Sequence, residues 1–198
     1  MPLEVVIVGS GGANLASLSF AFDRLGVQAR VSRDPKTVAA ASHVVLPGVG
    51  AAADAMQRLE RAALTTTISQ LTQPVLGICL GMQLLFRDSE EGPTECLGVL
   101  PDRVRRMQPA CARPVPHMGW NQVKSERKDP LLEGIGDGDY AYFVHSYAAS
   151  VSPVTVAYTD YGSRFSAVVR RGNFCGTQFH PERSGRMGSR VLENFLRL

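Results

Sequence analysis

Two hydrophobic patterns alternate along the first half of the chain. Short apolar runs are typical of strands buried on both faces of a parallel sheet, whereas apolar residues spaced three and four apart indicate helices. The predicted strands are residues 3–8, 27–32, 44–46 and 74–78. The predicted helices are residues 15–25, a short helix that begins at residues 34–35, and about residues 51–71. Strands that alternate with helices in this way predict βαβ units and a mainly parallel sheet.

The character of the sequence changes after Phe86. Glycine, proline and residues of high strand propensity dominate the second half. The predicted strands there are residues 97–107, 119–123, 140–148, 154–159 and 165–170. We expect many of them to pair antiparallel beside the first half, and we expect a final helix at residues 188–198. No repeat or linker interrupts the pattern, which predicts one α/β domain over residues 1–198.

Composition and charge argue against several classes of protein. A net charge of +3 over 198 residues is too small to indicate nucleic-acid binding. No apolar run approaches the length of a transmembrane helix, and the first residues lack the basic region of a signal peptide, so we expect a cytoplasmic protein without a membrane partner. The four cysteines, at positions 79, 96, 111 and 175, form no Cys-x-x-Cys pair. They support neither a zinc site nor a disulfide framework, and we expect no metal and no cofactor.

The segment at residues 74–83 carries the strongest chemical pattern. An apolar strand runs into Gly-x-Cys-x-Gly at residues 77–81, and apolar residues at helical spacing follow. A strand, a tight turn and a helix in this order form the nucleophile elbow of serine hydrolases. The glycines let the chain turn sharply, and a helix N-terminus favours the thiolate form of a cysteine. We therefore predict that Cys79 is a nucleophile; the alternative is a buried structural cysteine.

The first strand runs into a glycine-rich segment at residues 9–14, which suggests a dinucleotide site. Asn14 stands where Gly-x-Gly-x-x-Gly requires its third glycine, so the fingerprint fails. We expect no dinucleotide cofactor there.

Residues 176–182 supply candidate partners for the cysteine. In an extended segment His180 and Glu182 would point to the same side, and Pro181 restricts the backbone between them. A carboxylate bonded to one imidazole nitrogen fixes the tautomer and leaves the other nitrogen to take the thiol proton. The pattern predicts a Cys79–His180–Glu182 triad, with a surface histidine after a strand as the alternative.

Two backbone N–H groups are candidate donors to the oxyanion of a tetrahedral intermediate. One belongs to Leu80, the first residue of the helix after the elbow. The other belongs to Pro-Gly-Val-Gly at residues 47–50, where a peptide flip can present an N–H. A plain Pro-Gly turn is the alternative there.

Several motifs together carry a family resemblance. Residues 47–50, 77–83 and 178–182 resemble those of class I (triad) glutamine amidotransferases. Within that family, residues 116–121, 142–147 and 180–185 resemble the glutaminase subunits of imidazole glycerol phosphate synthase, with Arg183 where some members carry lysine. The resemblance spans the chain from first strand to last helix. It implies a flavodoxin-like fold: a mainly parallel central sheet, helices on both faces and a small additional antiparallel sheet.

The resemblance also implies a role for each site residue. Cys79 would be the nucleophile, His180 the acid and base, and Glu182 its orienting partner. The oxyanion would lie against the N–H groups of Gly50 and Leu80. The residues implied to contact glutamine are Gly48, Val49, Gln83, Ser146 and Tyr147.

A partner follows from the same resemblance. It implies a heterodimer with the cyclase subunit, a (β/α)8 barrel that converts a formimino-linked ribulosyl aminoimidazole carboxamide ribonucleotide to imidazole glycerol phosphate and AICAR. Ammonia released from L-glutamine would be mostly protonated in bulk water, so an internal passage in a docked partner would keep it nucleophilic. The predicted partner face includes aromatic and arginine types favoured at interface hot spots: Trp120, Asn121, Tyr142 and Arg183.

Three other functions stay open at this point. The chain can be a stand-alone cysteine hydrolase such as a γ-glutamyl peptidase, an amidotransferase subunit of another synthase (pyridoxal phosphate, anthranilate or carbamoyl phosphate), or a binding subunit without catalysis. Residues 116–121 and 145–147 argue against the second. The presence of all three triad residues argues against the third.

Overall fold

The computed structural model describes residues 3–9 and 15–198, so most of the glycine-rich segment considered above as a dinucleotide site lies outside the described residues. The strands are β1 (Val5–Val8), β2 (Ala29–Ser32), β3 (His43–Gly48), β4 (Val75–Cys79), β5 (Asp88–Ser89), β6 (Thr94–Glu95), β7 (Arg103–Arg106), β8 (His117–Gln122), β9 (Lys124–Ser125), β10 (Tyr140–His145), β11 (Tyr147–Ala149), β12 (Thr155–Tyr161), β13 (Ser163–Arg171) and β14 (Phe174–Thr177). The helices are α1 (Leu15–Arg24), α2 (Pro35–Ala40), α3 (Ala52–Arg61), α4 (Leu64–Ser69), α5 (Leu80–Leu84) and α6 (Gly185–Phe195). Two 3₁₀ turns occupy Pro130–Leu132 and Pro181–Arg183.

An eight-stranded sheet forms the centre of the molecule, in the spatial order β2-β1-β3-β4-β14-β13-β12-β9. Neighbours from β2 to β14 pair parallel, and β13, β12 and β9 extend the sheet antiparallel. The predicted α/β fold with a mainly parallel central sheet is confirmed. Because the carboxyl ends of parallel strands meet at one edge of a sheet, β3, β4 and β14 bring the residues that follow them to the same place.

Hydrophobic clusters cover both faces of this sheet. In β1, Val5 and Ile7 belong to one cluster with α1 and α6. Val6 and Val8 belong to the other, with α2, α3 and α4. Burial on both faces explains why the strand is apolar throughout. The predicted helices on both faces are confirmed.

Two smaller sheets lie beside the central one. β8 and β10 form an antiparallel ribbon, and a four-stranded sheet has the order β11-β7-β5-β6. The single strand predicted at residues 140–148 is divided at Ser146, because β10 pairs with β8 whereas β11 pairs with β7. The change of partner turns the chain at Ser146 and Tyr147.

Three further predicted elements differ from the structure by a break or by more than two residues at one end. The helix predicted at about residues 51–71 is two helices, because Ala63 adopts a left-handed conformation with φ 53° between α3 and α4. Residues 97–102 form no strand, since the N–H groups of Leu97 and Leu100 donate to the last carbonyls of the elbow helix. The final helix begins at Gly185 rather than at residue 188. None of the helices in the described ranges is long and apolar enough to cross a membrane.

Candidate active site

Cys79 lies on a strained turn between β4 and α5. Its backbone has φ 53° and ψ −112°, a conformation that costs free energy for a residue with a Cβ atom. Glycines make the turn possible. A Cβ atom on Gly77 would lie 2.7 Å from the Met82 Cα atom, and one on Gly48 would lie 2.6 Å from the Gly81 nitrogen. The predicted elbow is therefore a backbone geometry that larger residues at these positions cannot form.

The thiol faces a cavity of about 360 Å³. Nine of the residues predicted for the site line this cavity: Gly48, Val49, Gly50, Cys79, Leu80, Gln83, Ser146, Tyr147 and His180. The cavity is large enough for an amino acid of glutamine's size. The structure therefore brings together residues that lie up to about 130 positions apart in the sequence.

His180 and Glu182 form the predicted pair, by a different backbone path. The Nδ1 atom of His180 lies 2.8 Å from Glu182 Oε1, and both side chains are buried. The segment is not extended as predicted. Pro181–Arg183 is a 3₁₀ turn, in which Pro181 supplies a fixed φ at the first position, and this turn folds the carboxylate back onto the imidazole ring.

Electrostatics favours a protonated His180. Burial of the ring by itself lowers its pKa, but hydrogen bonds with Cys79 and Glu182 outweigh burial and raise the pKa of His180 to about 10. An imidazolium between a thiolate and a carboxylate is stabilised by both anions. The arrangement can thus supply an acid next to the Cys79 sulfur.

The other cysteines have different surroundings. Burial raises the pKa of Cys96 to about 11 and that of Cys175 to about 12. These two groups stay as neutral thiols at physiological pH, and Cys111 is exposed. Among the described residues, no group of three histidine, cysteine or acidic side chains is placed to hold a metal ion.

Backbone groups of two adjacent strands flank the thiol. The β3–β4 register places Gly48 opposite Cys79, so residues 48–50 lie along one side of the elbow. Gly50 has φ 87°, a left-handed conformation, and open space where a Cβ atom would lie. Leu80 begins α5 on the other side. Both predicted sources of an oxyanion donor therefore border the Cys79 sulfur.

Gln83 lines the cavity and is hydrogen-bonded to the fully buried Gln178 behind it. Gln83 Nε2 donates to the Tyr147 carbonyl at 2.8 Å and to Gln178 Oε1 at 3.0 Å. Gln178 Nε2 in turn lies 3.8 Å from Cys79 Sγ. Sequence reasoning did not single out Gln178 as an individual residue, although it follows β14 directly and precedes His180 by two positions.

Glu91 is a further cavity residue that the sequence analysis missed. Of the described residues that line the cavity, it alone is acidic, and its Oε2 atom accepts a hydrogen bond of 2.9 Å from the Ala52 nitrogen at the start of α3. Nothing in the surrounding sequence marks this residue, because a loop carries it to the site. Its carboxylate gives one side of the cavity a negative charge.

Three of the four predicted partner residues, Trp120, Tyr142 and Arg183, contact one another beside the β8–β10 ribbon. Trp120 is 56% exposed, and its ring centroid lies 6.0 Å from that of Tyr142. The Arg183 guanidinium stacks 4.8 Å above the Tyr142 ring. Asn121 is the exception, because its side chain points to the opposite face of β8 from Trp120, where its Nδ2 atom lies 3.3 Å from the buried His117 Nε2 and donates to the Asp160 carbonyl. Arg183 is in the same 3₁₀ turn as Glu182, so this surface is continuous with the triad.

Comparisons with known proteins give a consistent result. The sequence profile of the family described as glutamine amidotransferase class-I matches residues 8–198. The imidazole glycerol phosphate synthase subunit HisH of Xanthomonas campestris pv. campestris (strain 8004) is 53% identical over 195 residues, which cover 98% of each chain. The subunit of the same name from Xylella fastidiosa strain Temecula1 is 50% identical over 195 residues with the same coverage.

Solved structures resemble the fold as a whole. A crystal structure described as glutamine amidotransferase has a TM-score of 0.75 and 20% identity, and the match covers 98% of this chain and 97% of that chain. PurLQS from Thermotoga maritima has a TM-score of 0.72 and 20% identity, with coverage of 100% and 99%. These likenesses concern the arrangement of strands and helices.

Proposed function

Because the chain belongs to the class I glutamine amidotransferases, we propose that its cavity hydrolyses L-glutamine and that the protein is the glutaminase subunit of imidazole glycerol phosphate synthase, an enzyme of histidine biosynthesis. Relatives of that name, 50% and 53% identical over nearly their full length, support this function. The predicted membership of the family is confirmed. We further propose that residues 1–198 act as one glutamine amidotransferase domain.

One observation carries the proposed chemistry. A cysteine on a strained elbow faces His180, whose Nδ1 atom lies 2.8 Å from the Glu182 carboxylate. Glu182 fixes the tautomer and stabilises the imidazolium, as the acid does in other triads. His180 therefore presents its other nitrogen to the sulfur and can move a proton between sulfur, leaving group and water.

The reaction then follows in two steps. The Cys79 thiolate attacks the side-chain amide carbon of glutamine, the carbon–nitrogen bond breaks, and the proton from His180 allows ammonia to leave. A water molecule next gives a proton to His180 and attacks the thioester carbon. The carbon–sulfur bond breaks, glutamate leaves and the thiolate is restored. We assign the N–H groups of Gly50 and Leu80 to the oxyanion of both tetrahedral intermediates.

Glutamine needs contacts for its two charged groups as well as for its amide. We assign the wall formed by Gly48, Val49, Gln83, Ser146 and Tyr147 to the amino-acid portion of the substrate. Glu91 is the acidic residue of the cavity, so its carboxylate is suited to the substrate's α-ammonium group. This contact adds one residue to the set that the sequence predicted.

We propose that the ammonia passes to a cyclase subunit, a (β/α)8 barrel, in a heterodimer. The proposed docking face is formed by the exposed Trp120 and Arg183 and the half-buried Tyr142, without the inward-facing Asn121. Its two aromatic rings and stacked guanidinium have the composition of an interface hot spot. Because Arg183 shares a turn with Glu182, docking there acts on the backbone that holds the triad.

The test is to measure glutamate release from glutamine with the chain alone, with the cyclase subunit, and with the cyclase subunit and its ligand. The expected result is a low rate for the chain alone and a large increase with the loaded partner. Glutamine labelled with ¹⁵N in the amide should also deliver ¹⁵N to imidazole glycerol phosphate in the presence of excess unlabelled ammonium. A full rate without any partner would favour a stand-alone hydrolase instead.

A further inference from the structure

Two buried histidines form a cross-strand pair behind the glutamine cavity. The β8–β10 register places His117 directly opposite His145. The Nδ1 atom of His117 lies 3.1 Å from Nε2 of His145, and the two side chains are almost fully buried. His145 lines the cavity, whereas His117 does not. Neither ring contacts the reacting sulfur in the mechanism above, so their hydrogen bonds need another explanation.

The hydrogen-bond partners of this pair determine which ring nitrogen carries the proton in each histidine. The Tyr147 carbonyl can only accept, so the Nδ1 atom of His145, 2.9 Å away, must carry its proton. A neutral His145 then has an acceptor at Nε2, and His117 must donate to it from Nδ1. The Nε2 atom of His117 is in turn an acceptor. Burial lowers the pKa of His117 to about 4 and that of His145 to about 3, which keeps both rings neutral at physiological pH.

Asn121 adds a third hydrogen bond to the series formed by His117, His145 and the Tyr147 carbonyl. Its Oδ1 atom accepts a hydrogen bond of 2.8 Å from the Gln122 nitrogen, so its amide group is oriented. The Nδ2 atom therefore points to His117 Nε2, at 3.3 Å, and donates to it. The three hydrogen bonds of this series run in one direction: Asn121 donates to His117, His117 donates to His145, and His145 donates to the Tyr147 carbonyl.

We propose that His117 is a positioning residue for the glutamine pocket, which it holds in place through His145 and the Tyr147 carbonyl. This carbonyl also accepts from Gln83 at 2.8 Å, so donors from two directions hold it. It lies where the chain changes from β10 to β11 and lines the cavity with Ser146. The proposal rests on the proposed function, because the pocket it concerns is the one assigned to glutamine. By this proposal, His117 helps to fix the shape of the pocket although it does not line the cavity.

A pair of variants separates hydrogen bonding from packing. The His117 ring stacks on Tyr161 and Phe143, with centroids 4.0 and 4.9 Å apart. Replacement by phenylalanine (His117→Phe) keeps this stacking but removes the donor to His145. Replacement by asparagine (His117→Asn) removes the ring but keeps an N–H donor near the Nδ1 position. A role in packing alone predicts that His117→Phe is the milder change, and the positioning role predicts the reverse.

In the complex with the loaded cyclase subunit, His117→Phe should raise the KM for glutamine by about tenfold and change kcat much less, because a buried acceptor on His145 is left unsatisfied. His117→Asn should stay closer to the wild-type KM. His43→Phe is the matched control: it makes the same substitution at another buried histidine, at the opposite end of β3 from the cavity, and should leave KM unchanged. An unchanged KM in His117→Phe, or a larger KM in His117→Asn than in His117→Phe, would overturn the proposal.

A second measurement needs no activity. Nitrogen NMR of the two imidazole rings in the wild-type protein should show the proton on Nδ1 and a bare Nε2 in both His117 and His145. A proton on Nε2 of either ring would overturn the proposal even if the variants failed to fold. If the wild-type complex released no glutamate, the proposed function would fail, and the ring nitrogens would still decide whether the hydrogen-bonded chain exists.

Discussion

A Cβ atom placed on Gly81 would lie 1.8 Å from the carbonyl oxygen of Leu46. The contact joins the turn after Cys79 to the neighbouring strand β3, which is followed by Gly50, a proposed oxyanion donor. Backbone, not a flexible side chain, occupies the space. The elbow and residues 47–50 can therefore not separate to admit a side chain without moving the site itself.

The first prediction follows from this contact. Gly81→Ala should destabilise the protein by about 3 kcal/mol or more, the range of severe overpacking and strain, and should abolish glutamine hydrolysis. Denaturant unfolding and the glutaminase rate would measure the two effects. Gly136→Ala is the control, because a Cβ atom there meets only the carboxylate end of Asp139. A fully active Gly81→Ala protein of normal stability would contradict the proposed elbow geometry.

A second prediction concerns the nucleophile. Cys79→Ala should reduce glutamine-dependent synthesis by the complex at least about 10³-fold, because the acyl-thioester intermediate cannot form. Synthesis from added ammonium salts should survive, since the cyclase chemistry is untouched. Cys175→Ala, at a buried cysteine of β14, should keep most of the glutamine-dependent rate. Glutamate release by Cys79→Ala at the wild-type rate would show that another group attacks the amide.

The third prediction concerns the triad pair. Glu182→Gln should slow hydrolysis less than His180→Ala, because the amide keeps the shape of the carboxylate and loses its charge. It should also lower the pKa of His180 from about 10, since one of the hydrogen bonds that raise it is weakened. Imidazole NMR titrations of the wild type and of Glu182→Gln would measure the change. A His180 ring that is already neutral at pH 8 in the wild type would contradict the expected ion pair.

Particular residues show how far the sequence predicts this structure. The glycines at positions 77 and 81 predict the elbow, because glycines on both sides of a cysteine indicate a tight turn at that cysteine. The pairing of His180 with Glu182 was also predictable, although a 3₁₀ turn and not an extended segment produces it. In both cases the interacting residues are close in sequence, so local geometry decides the result.

The features that the sequence does not predict depend on contacts between residues that are far apart in sequence. Glu91 reaches the cavity on a loop that no local pattern marks. His145 reaches it on the β8–β10 ribbon, and the motif at residues 142–147 gives this histidine no contact of its own. The change of pairing partner at Ser146 follows from the positions of β7 and β8, which alternation in residues 140–148 cannot reveal. The left-handed Ala63 between α3 and α4 is similarly hidden, because alanine is a strong helix former and carries no turn preference.

The fourth prediction concerns the proposed docking face. Trp120→Ala should raise the cyclase concentration needed for half-maximal glutaminase activity by about tenfold or more, as expected for a hot-spot aromatic residue. Arg183→Ala should raise it as well, because the stacked guanidinium is lost from Tyr142. Arg30→Ala is the control, since Arg30 is exposed on β2 at the far edge of the eight-stranded sheet. Unchanged titrations for both Trp120→Ala and Arg183→Ala would place the partner elsewhere.

The last prediction concerns stability in acid. The ordinary histidine pKa is 6.5, whereas burial lowers that of His117 to about 4 and that of His145 to about 3. Between these values the unfolded chain binds protons that the folded protein does not, so the free energy of unfolding should fall as the pH drops from 6.5 towards 4. The nearby positive charge of His180 adds to the effect, because it also lowers the pKa of His145.

Substitution of one ring tests this dependence directly. His117→Phe removes one of the two protonation sites, so its unfolding free energy should fall less steeply than that of the wild type over the same acid range. Tyr161→Phe is the comparison, because it changes a ring stacked on His117 without removing a group that titrates in acid, and it should keep the wild-type slope. Urea unfolding at several pH values would measure all three proteins. If the unfolding free energies of the wild type and His117→Phe changed equally with pH, His117 would titrate alike in the folded and unfolded states. That result would contradict the effect expected from its burial.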